Sequence, residues 1–355
     1  MPASLPHALQ TAYADLLDKL LDAQIMSLEG EEGGFVSKTV KGRKYWYLQK
    51  RDDTGALKQT YVGPESEDLL ARIERHQEIR ETQRVRRDVV RSLVRGGAMA
   101  GPPPRVGRVL QALSDGGVFR LRGVLVGTVA YQTYGPMLGV RLGSAAMMTE
   151  DIDLAQFRSV SIAVEEQIPS VVDALRSAEP DFEPVTKPLH DHAPISFISH
   201  GRETKRHEAL KVEFLTPMRG PDEDGIAKLP ALGTGAQPLR FLDFLIYQEQ
   251  KAVILHDAGI LVNVPDPTRF ALHKLIISQR RSNQVKVRKD LLQAETLLSV
   301  LAEQRPNDVA DYWAELALPG RVKWQNIAMD GLKQIAPGVR DKVLGIISAA
   351  EKHRG

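Results

Sequence analysis

The sequence lacks cysteine and long apolar runs. With no Cys among its 355 residues, the chain cannot form disulfides, zinc sites built on thiolates or thiol nucleophiles. No uninterrupted apolar stretch reaches the roughly 18 residues of a membrane span, and the first residues lack a basic segment followed by an apolar one. We therefore expect a cytoplasmic protein that makes no membrane contact.

Short motifs of several enzyme classes are also absent. The sequence contains no Walker phosphate loop, no His-Glu-x-x-His zinc motif and no Gly-x-Ser-x-Gly nucleophile turn. The composition is that of a globular protein, with 43% apolar and 26% charged residues. A chain of this length is expected to form about two or three compact units, so a large hydrophobic core is available.

The formal net charge of +2 is spread unevenly. Residues 35–109 hold 17 Lys and Arg against 9 Asp and Glu, and Tyr45, Trp46 and Tyr47 lie among these cations. Aromatic and cationic side chains together can stack on bases and contact phosphates, so nucleic acid is one candidate partner for this region. The alternative is a small sheet and a helix whose charged faces are simply solvated.

Apolar periodicity predicts an α+β fold, with an N-terminal helix, a small β-meander, a β-sheet core with helices, and a helical C-terminal domain. The predicted parts are an N-terminal amphipathic helix at 1–34, a basic meander at 35–64, a charged helix and linker at 65–103, the core at 104–264 and the helical domain at 265–355. Within the core, strands are predicted at 118–127, 160–164, 194–199, 209–217, 240–247 and 251–264. The segment 233–238 is interpreted as a loop.

Two aspartates lie two residues apart in the segment "MTEDIDLA". If the segment is a strand, Asp151 and Asp153 project to the same side while Ile152 and Leu154 face the core. Two like charges this close are unfavourable unless a cation lies between them, and Mg²⁺ commonly takes one or two carboxylates together with substrate phosphates. We therefore expect Mg²⁺ or Mn²⁺ here, whereas the alternative is a capping or water-binding role at a sheet edge.

Two further features can belong to the same site. Gly127 and Thr128 follow an apolar strand, where a glycine lets the backbone approach a phosphate and the Thr hydroxyl can donate to it. Glu213 lies inside the apolar run "KVEFLTP", and an acid in such a run needs a partner. If its strand neighbours that of Asp151 and Asp153, Glu213 completes a cluster of three carboxylates.

The segments "LVGTVAYQTYGPMLGV", "MTEDIDLA" and "LKVEFLTP" resemble the nucleotidyltransferase superfamily typified by DNA polymerase beta. In that pattern an apolar strand with a glycine turn is followed by Asp-x-Asp and by a third acid on a later strand. With the later "VPDPTRFALHKLIIS", the chain is more narrowly similar to a bacterial group of nucleotidyltransferase-fold proteins. The resemblance covers roughly residues 118–295 and the meander at 35–64, and it implies a nucleotidyltransferase-type mixed sheet.

The resemblance also implies an activity, the transfer of a nucleoside monophosphate from an NTP, with ATP expected, to a hydroxyl-type acceptor with release of pyrophosphate. Asp151 and Asp153 would then bind two metal ions, and Glu213 the one that helps to deprotonate the attacking hydroxyl. Lys274 would face the triphosphate, although a solvent-facing lysine is equally compatible with the sequence. The acceptor stays open between a protein side chain, an RNA end and a small molecule.

The chain also departs from the superfamily pattern. Gly127 and Asp151 are about twice as far apart as in the minimal pattern, so 135–148 is interpreted as an insertion over the site, and Gly143 with Ser144 is a rival phosphate loop. A basic cluster follows Lys274 and faces either phosphate or solvent, namely Arg280, Arg281, Lys286, Arg288 and Lys289. The alternative function is a catalytically inactive member of the fold that binds nucleic acid or acts as a regulatory module.

Overall fold

The computed structural model shows the mixed helix and sheet architecture that the sequence predicts. It describes residues 2–26, 34–40, 43–51, 57–96, 99–143, 151–163, 170–185, 193–200, 209–218, 220, 225–318, 321 and 323–354. The α+β fold class and the helical C-terminal region are confirmed. The boundaries between the predicted domains stay predictions.

The N-terminal part consists of two helices and a small sheet between them. Helix α1 (His7–Met26) is followed by strands β1 (Gly34–Val40), β2 (Arg43–Arg51) and β3 (Leu57–Pro64), which form an antiparallel sheet in that order. Helix α2 (Glu67–Arg91) begins where the Ser66 hydroxyl accepts a hydrogen bond from the Leu69 N–H, and it continues into a π-helical turn, Ser92–Gly96. The predicted N-terminal helix, meander and long helix are confirmed.

The middle of the chain alternates strands and helices. Its elements are α3 (Pro104–Asp115), β4 (Val124–Val126), α4 (Gly127–Met137), β5 (Asp151–Ala155), α5 (Arg158–Ala163), α6 (Val171–Ala178), β6 (Glu183–Pro184), β7 (Ser196–Ser199), β8 (Leu210–Pro217), β9 (Ala227–Leu229), β10 (Thr234–Leu239), α7 (Leu242–Ile246), β11 (Gln250–Ile254) and β12 (Ile260–Val264). The helices that follow are α8 (Pro267–Ser278), α9 (Gln284–Gln304), α10 (Pro306–Glu315), α11 (Trp324–Leu332) and α12 (Pro337–Arg354).

The central sheet is mixed, and its strand β8 pairs with three other strands. Along the sheet the order is β4-β5-β8-β10-β9. Strand β5 runs antiparallel to β4 and parallel to β8. The other edge of β8 is shared, since β7 pairs antiparallel with its first half and β10 pairs parallel with its last residues. This topology places the first residues of β5 and β8 side by side, next to the end of β4.

The hydrophobic core extends from the sheet into the C-terminal helices. One cluster of buried side chains includes residues of β4, β5 and β8 together with residues of α8, α9 and α12. A second cluster joins α1 and the end of α2 to β11 and β12. There the Tyr13 hydroxyl accepts a hydrogen bond from the Val253 N–H at 3.0 Å, and burial raises the pKa of Tyr13 to about 12. The partner surface of the amphipathic helix α1 is therefore this hairpin.

Five local predictions in the core were wrong. The segment 251–264 is not one strand, because a turn between Ile254 and Ile260 makes it the antiparallel hairpin of β11 and β12. Residues 158–163 and 242–246 are helices, and only 124–126 of the predicted strand 118–127 is extended. A short apolar run without clear alternation fits a buried helix as well as a buried strand, so periodicity alone could not separate them. Residues 234–239 form β10 and not a loop, because pairing with β8 and β9 overrides the weak strand propensity of Gly and Pro.

In the part of the chain that the structure describes, no helix is both long enough and apolar enough to span a membrane.

Candidate active site

The predicted acidic residues meet on one face of the sheet. Because β5 and β8 are parallel and in register, Asp153 lies opposite Glu213 and Asp151 lies opposite Lys211. The residues between them, among them Ile152 and Val212, are buried in the core. Side chains alternate along a strand, so the acids share the face that is turned away from this core. The sequence predicts a cluster of three carboxylates if the strand of Glu213 is next to the strand of Asp151 and Asp153. The structure shows that these two strands are neighbours.

Gly127 lies directly against this cluster, at the point where β4 passes into α4. Its φ of +70° is unfavourable for any residue with a side chain, and a Cβ built there would be 2.5 Å from Oδ2 of Asp153. Thr128 follows in the first turn of α4, where helix N–H groups have no partner within the helix. A glycine at 127 is therefore required for the Asp153 carboxylate to approach the positive end of this helix.

The cluster is electrostatically strained around Asp153. The pKa of Asp153 is raised to about 6, chiefly by burial and in addition by the negative charges of Glu213 and Asp151. Lys274 and Arg281 oppose the rise, so both cations lie close enough to act on the carboxylate. Bringing a positive charge among the acids would relieve this repulsion.

Lys211 was not predicted from the sequence and occupies part of this face. Its ammonium Nζ lies 2.6 Å from Oε1 of Glu213, and both side chains are about one third exposed, 36% and 34%. The pair is possible because residues two apart on a strand project to the same side. The same alternation occurs in "LKVEFL", where Lys211 and Glu213 lie on either side of the buried Val212. Lys211 could therefore have been predicted from the sequence to share the face of Glu213.

A second group of charges comes from α8 and α9. Lys274 is buried, and its Nζ donates to Oδ1 of Asp290 at 2.5 Å, while Nε of Arg281 donates to Oδ2 of the same carboxylate at 2.5 Å. The solvent-facing alternative for Lys274 is therefore wrong. Asp290 was missed because it lies 16 residues from Lys274, on the next helix, and nothing local marks it.

The same helices hold two more titratable groups. Burial and the neighbouring charges of Lys274 and Arg281 lower the pKa of His273 to about 3, so this imidazole is neutral at physiological pH. Burial and Lys274 also lower the pKa of Lys289, while Asp290 and Asp151 oppose the change. Lys289 thus links the basic helix pair electrostatically to the acidic face.

The remaining residues of the predicted basic cluster, and those of the predicted insertion at 135–148, were also candidates for the site. The structure places few of the described ones near the acids. Arg280 lies over the ring of Phe241, and Lys286 and Arg288 are exposed to solvent. Of the segment 135–148, residues up to 143 are described and 135–137 continue α4, whereas 144–148 lie outside the described residues. Ser144 of the rival phosphate loop lies there too.

The donor set suits a hard divalent cation only in part. Carboxylate oxygens are the ligands that Mg²⁺ prefers, and the pKa of Asp153 is raised by burial and by the negative charges of Glu213 and Asp151. Within the described ranges, however, no three His, Cys, Asp or Glu side chains are arranged to hold a metal ion by themselves. Mg²⁺ usually completes its coordination with waters and substrate phosphates, so a pair of aspartates fits a metal that arrives with a nucleotide.

A cavity of about 380 Å³ lies elsewhere on the sheet. It is lined by residues that follow β5, including Phe157 and Arg158, and by the last residues of β8, Thr216 and Pro217. The acids lie between the first residue and the middle of these two strands, so the cavity is beyond the opposite end of the same strand pair. Of the described residues that line this cavity, none carries a carboxylate, so we place the chemistry at the acids.

The comparison with protein families agrees with this arrangement. A family model described as nucleotidyltransferase matches residues 104–319, from the start of α3 to just beyond α10, and this segment contains all the acids and cations of the site. No curated protein matches the chain. Because the match covers more than half of the sequence, the chain belongs to this nucleotidyltransferase family.

Proposed function

We propose that the protein is a metal-dependent nucleotidyltransferase that moves a nucleoside monophosphate from an NTP, with ATP expected, to a hydroxyl-type acceptor and releases pyrophosphate. Family membership supports nucleotidyl transfer in general. The observation that carries the finer proposal is the in-register placement of Asp153 opposite Glu213, with Asp151 on the same face and Gly127 against them.

In this proposal Asp151 and Asp153 would hold Mg²⁺ or Mn²⁺ together with the phosphates of the nucleotide, and Glu213 would join them once it is released from Lys211. When bound, such ions neutralise charge on the phosphates and make an acceptor hydroxyl more acidic. The start of α4 at Gly127 and Thr128 offers backbone N–H groups to phosphate oxygens. Lys274, fixed by Asp290, supplies positive potential from the other side. Positioning and electrostatics of this kind provide most of the rate enhancement in phosphoryl transfer.

Thermal denaturation tests the proposal. A nucleotide together with Mg²⁺ or Mn²⁺ should raise the melting temperature, since a ligand that binds only the folded state stabilises it. Asp153→Asn should remove the metal-dependent part of that rise. A rise of equal size in the presence of EDTA would contradict a metal-dependent site.

A second candidate is a catalytically inactive member that binds nucleic acid or regulates another protein. The observation that favours it is Lys211, whose ammonium already neutralises Glu213. The two candidates differ in what stabilises the fold. The enzyme responds to metal and NTP, whereas the inactive form responds to an oligonucleotide with a steep dependence on salt and shows no metal requirement.

A further inference from the structure

A groove of about 230 Å³ lies between α2 and the turn that joins β11 to β12. Val90 and Leu255 are buried at its base. The remaining lining residues are mostly cationic or polar, namely Arg87, Arg91, Val94, Arg95, His256 and Asp257. We call Arg87, Arg91, Arg95 and His256 the arginine groove. None of the residues assigned to the active site lines it.

The arginines of the groove are only lightly engaged within the protein. Nε of Arg87 lies 2.9 Å from Oδ1 of Asp257, with 41% and 51% of the two side chains exposed. Arg91 pairs with Asp88 at 3.0 Å, and these side chains are 64% and 60% exposed. Exposed ion pairs of this kind contribute little to stability, so a phosphate can replace the carboxylates. Among the residues that the structure describes, none forms an ion pair with Arg95.

Close packing holds the side chains at the walls of the groove in place. A Cβ at Gly107 would overlap the ring of His256, so a glycine at this position of α3 allows the imidazole to lie flat against the helix. Arg86, next to the groove on α2, is buried, and burial together with the charge of Arg87 lowers its pKa. The groove therefore has the imidazole of His256, held against α3, on one side and several arginine side chains on the other.

The spacing of the arginines suits a chain of phosphates. Arg87 and Arg91 are four residues apart on α2, which corresponds to about 6 Å along the helix axis, and Arg95 follows four residues later on the π-helical turn. This is close to the separation of successive phosphates along a nucleic-acid strand, and guanidinium groups bind phosphate oxygens in a bidentate manner. The excess of Lys and Arg over residues 35–109 adds a long-range attraction for the same kind of ligand.

We propose that the arginine groove is a second binding site, which takes the phosphate backbone of a single nucleic-acid strand. The groove positions the strand through its charges and carries no base specificity, because phosphate contacts contain no sequence information. This site goes beyond the proposed transfer reaction, and its ligand binds whether or not the active site is functional.

The test is the binding of a fluorescently labelled, short single-stranded RNA to the full chain, followed by anisotropy over a range of salt concentrations. Arg91→Ala with Arg95→Ala should weaken binding at least tenfold. The salt slope should fall by roughly 0.7 for each lost phosphate contact. The matched control is Lys342→Ala with Lys352→Ala, which removes the same charge from exposed positions of α12 and should change the affinity less than twofold.

Four outcomes decide the proposal. Selective loss in the groove variant supports it, and Arg95→Glu should then weaken binding further than Arg95→Ala. Equal loss in the control variant overturns it, because attraction to net charge would be sufficient. Unchanged RNA binding in the groove variant also overturns it. Binding to vesicles of anionic lipid without binding to RNA assigns the groove to a membrane surface instead. Asp153→Asn should keep RNA binding, which separates this result from failure of the active site.

Discussion

Gly127 lies so close to Asp153 that a Cβ on the glycine would be 2.5 Å from the carboxylate oxygen Oδ2. The contact joins the start of α4 to the acidic face of β5. This contact explains why a glycine follows β4 at position 127. It also shows that the glycine turn and Asp153 are neighbours in space and do not merely follow one another in the sequence.

Substitution of Gly127 should therefore damage both the fold and the site. Gly127→Ala is expected to cost about 1–3 kcal/mol of unfolding free energy, because its φ of +70° is unfavourable for alanine. The new Cβ also displaces Asp153, so metal-dependent nucleotide binding should weaken. Urea denaturation and calorimetric titration with Mn²⁺ and ATP measure the two effects.

The control is Gly143→Ala, in the rival glycine motif. A Cβ at Gly143 meets no atom within 4 Å, so stability and nucleotide binding should stay close to wild type. If Gly143→Ala weakens nucleotide binding more than Gly127→Ala, the phosphate loop lies at 143 and our assignment is wrong.

The raised pKa of Asp153 predicts that the metal-free protein loses stability as pH rises. Between the usual value of 3.8 and the folded value of about 6, the folded state binds more protons at Asp153 than the unfolded state. The free energy of unfolding should therefore fall across this window, by about 1–3 kcal/mol, and then level off with respect to this group.

Denaturation in EDTA from pH 4 to pH 7 checks this prediction, and Asp153→Asn should flatten the corresponding part of the profile. Asp341→Asn on the surface of α12 serves as the control and should leave the wild-type profile intact. An unchanged pH profile in Asp153→Asn would show that another group is responsible.

Removal of Lys211 should favour metal binding. Lys211→Met frees Glu213 from an ammonium 2.6 Å away, so we expect the affinity for Mn²⁺ in the absence of nucleotide to rise about three- to tenfold. This corresponds to an exposed ion pair of roughly 1 kcal/mol. Electron paramagnetic resonance of free Mn²⁺ measures the affinity directly.

Lys342→Met is the matched control, because Lys342 forms an equally short pair with Glu303, 2.6 Å, at a comparably exposed site on α12. It should leave Mn²⁺ binding unaltered. Weaker Mn²⁺ binding in Lys211→Met would mean that the lysine supports the metal site and does not compete with it.

The buried carboxylate of Asp290 should be important for stability. Asp290→Ala leaves the Lys274 ammonium without its partner in a buried position, and breaking a buried pair in this way typically costs about 3–5 kcal/mol. Asp330→Ala, which breaks an exposed pair with Lys333, should cost at most about 1 kcal/mol. Chemical denaturation of both variants makes the comparison, and equal costs would refute the structural role of Asp290.

The positions of the acids were predictable because they depend on local periodicity. Alternation in "EDIDLA" places Asp151 and Asp153 on one side of a strand, and the apolar neighbours of Glu213 indicate a second strand. The pairing of these two strands, and their register, depend on how the whole sheet is assembled. Local periodicity contains no information about this pairing, so it could not be predicted. Asp290 was not predictable, because its partner Lys274 lies on another helix. The helix at 242–246 was missed because four apolar residues and Asp243 contain too little periodicity.

The most direct test of the account is to follow the nucleotide itself. The purified chain is incubated with Mg²⁺, a cell extract as the source of acceptor, and ATP carrying a radioactive α-phosphate or, in parallel, a radioactive γ-phosphate. If the protein transfers nucleoside monophosphates, the α label, and not the γ label, becomes attached to an acceptor. Asp151→Asn and Asp153→Asn should abolish the attachment while both variants stay folded. Undiminished labelling by either folded variant would contradict the account.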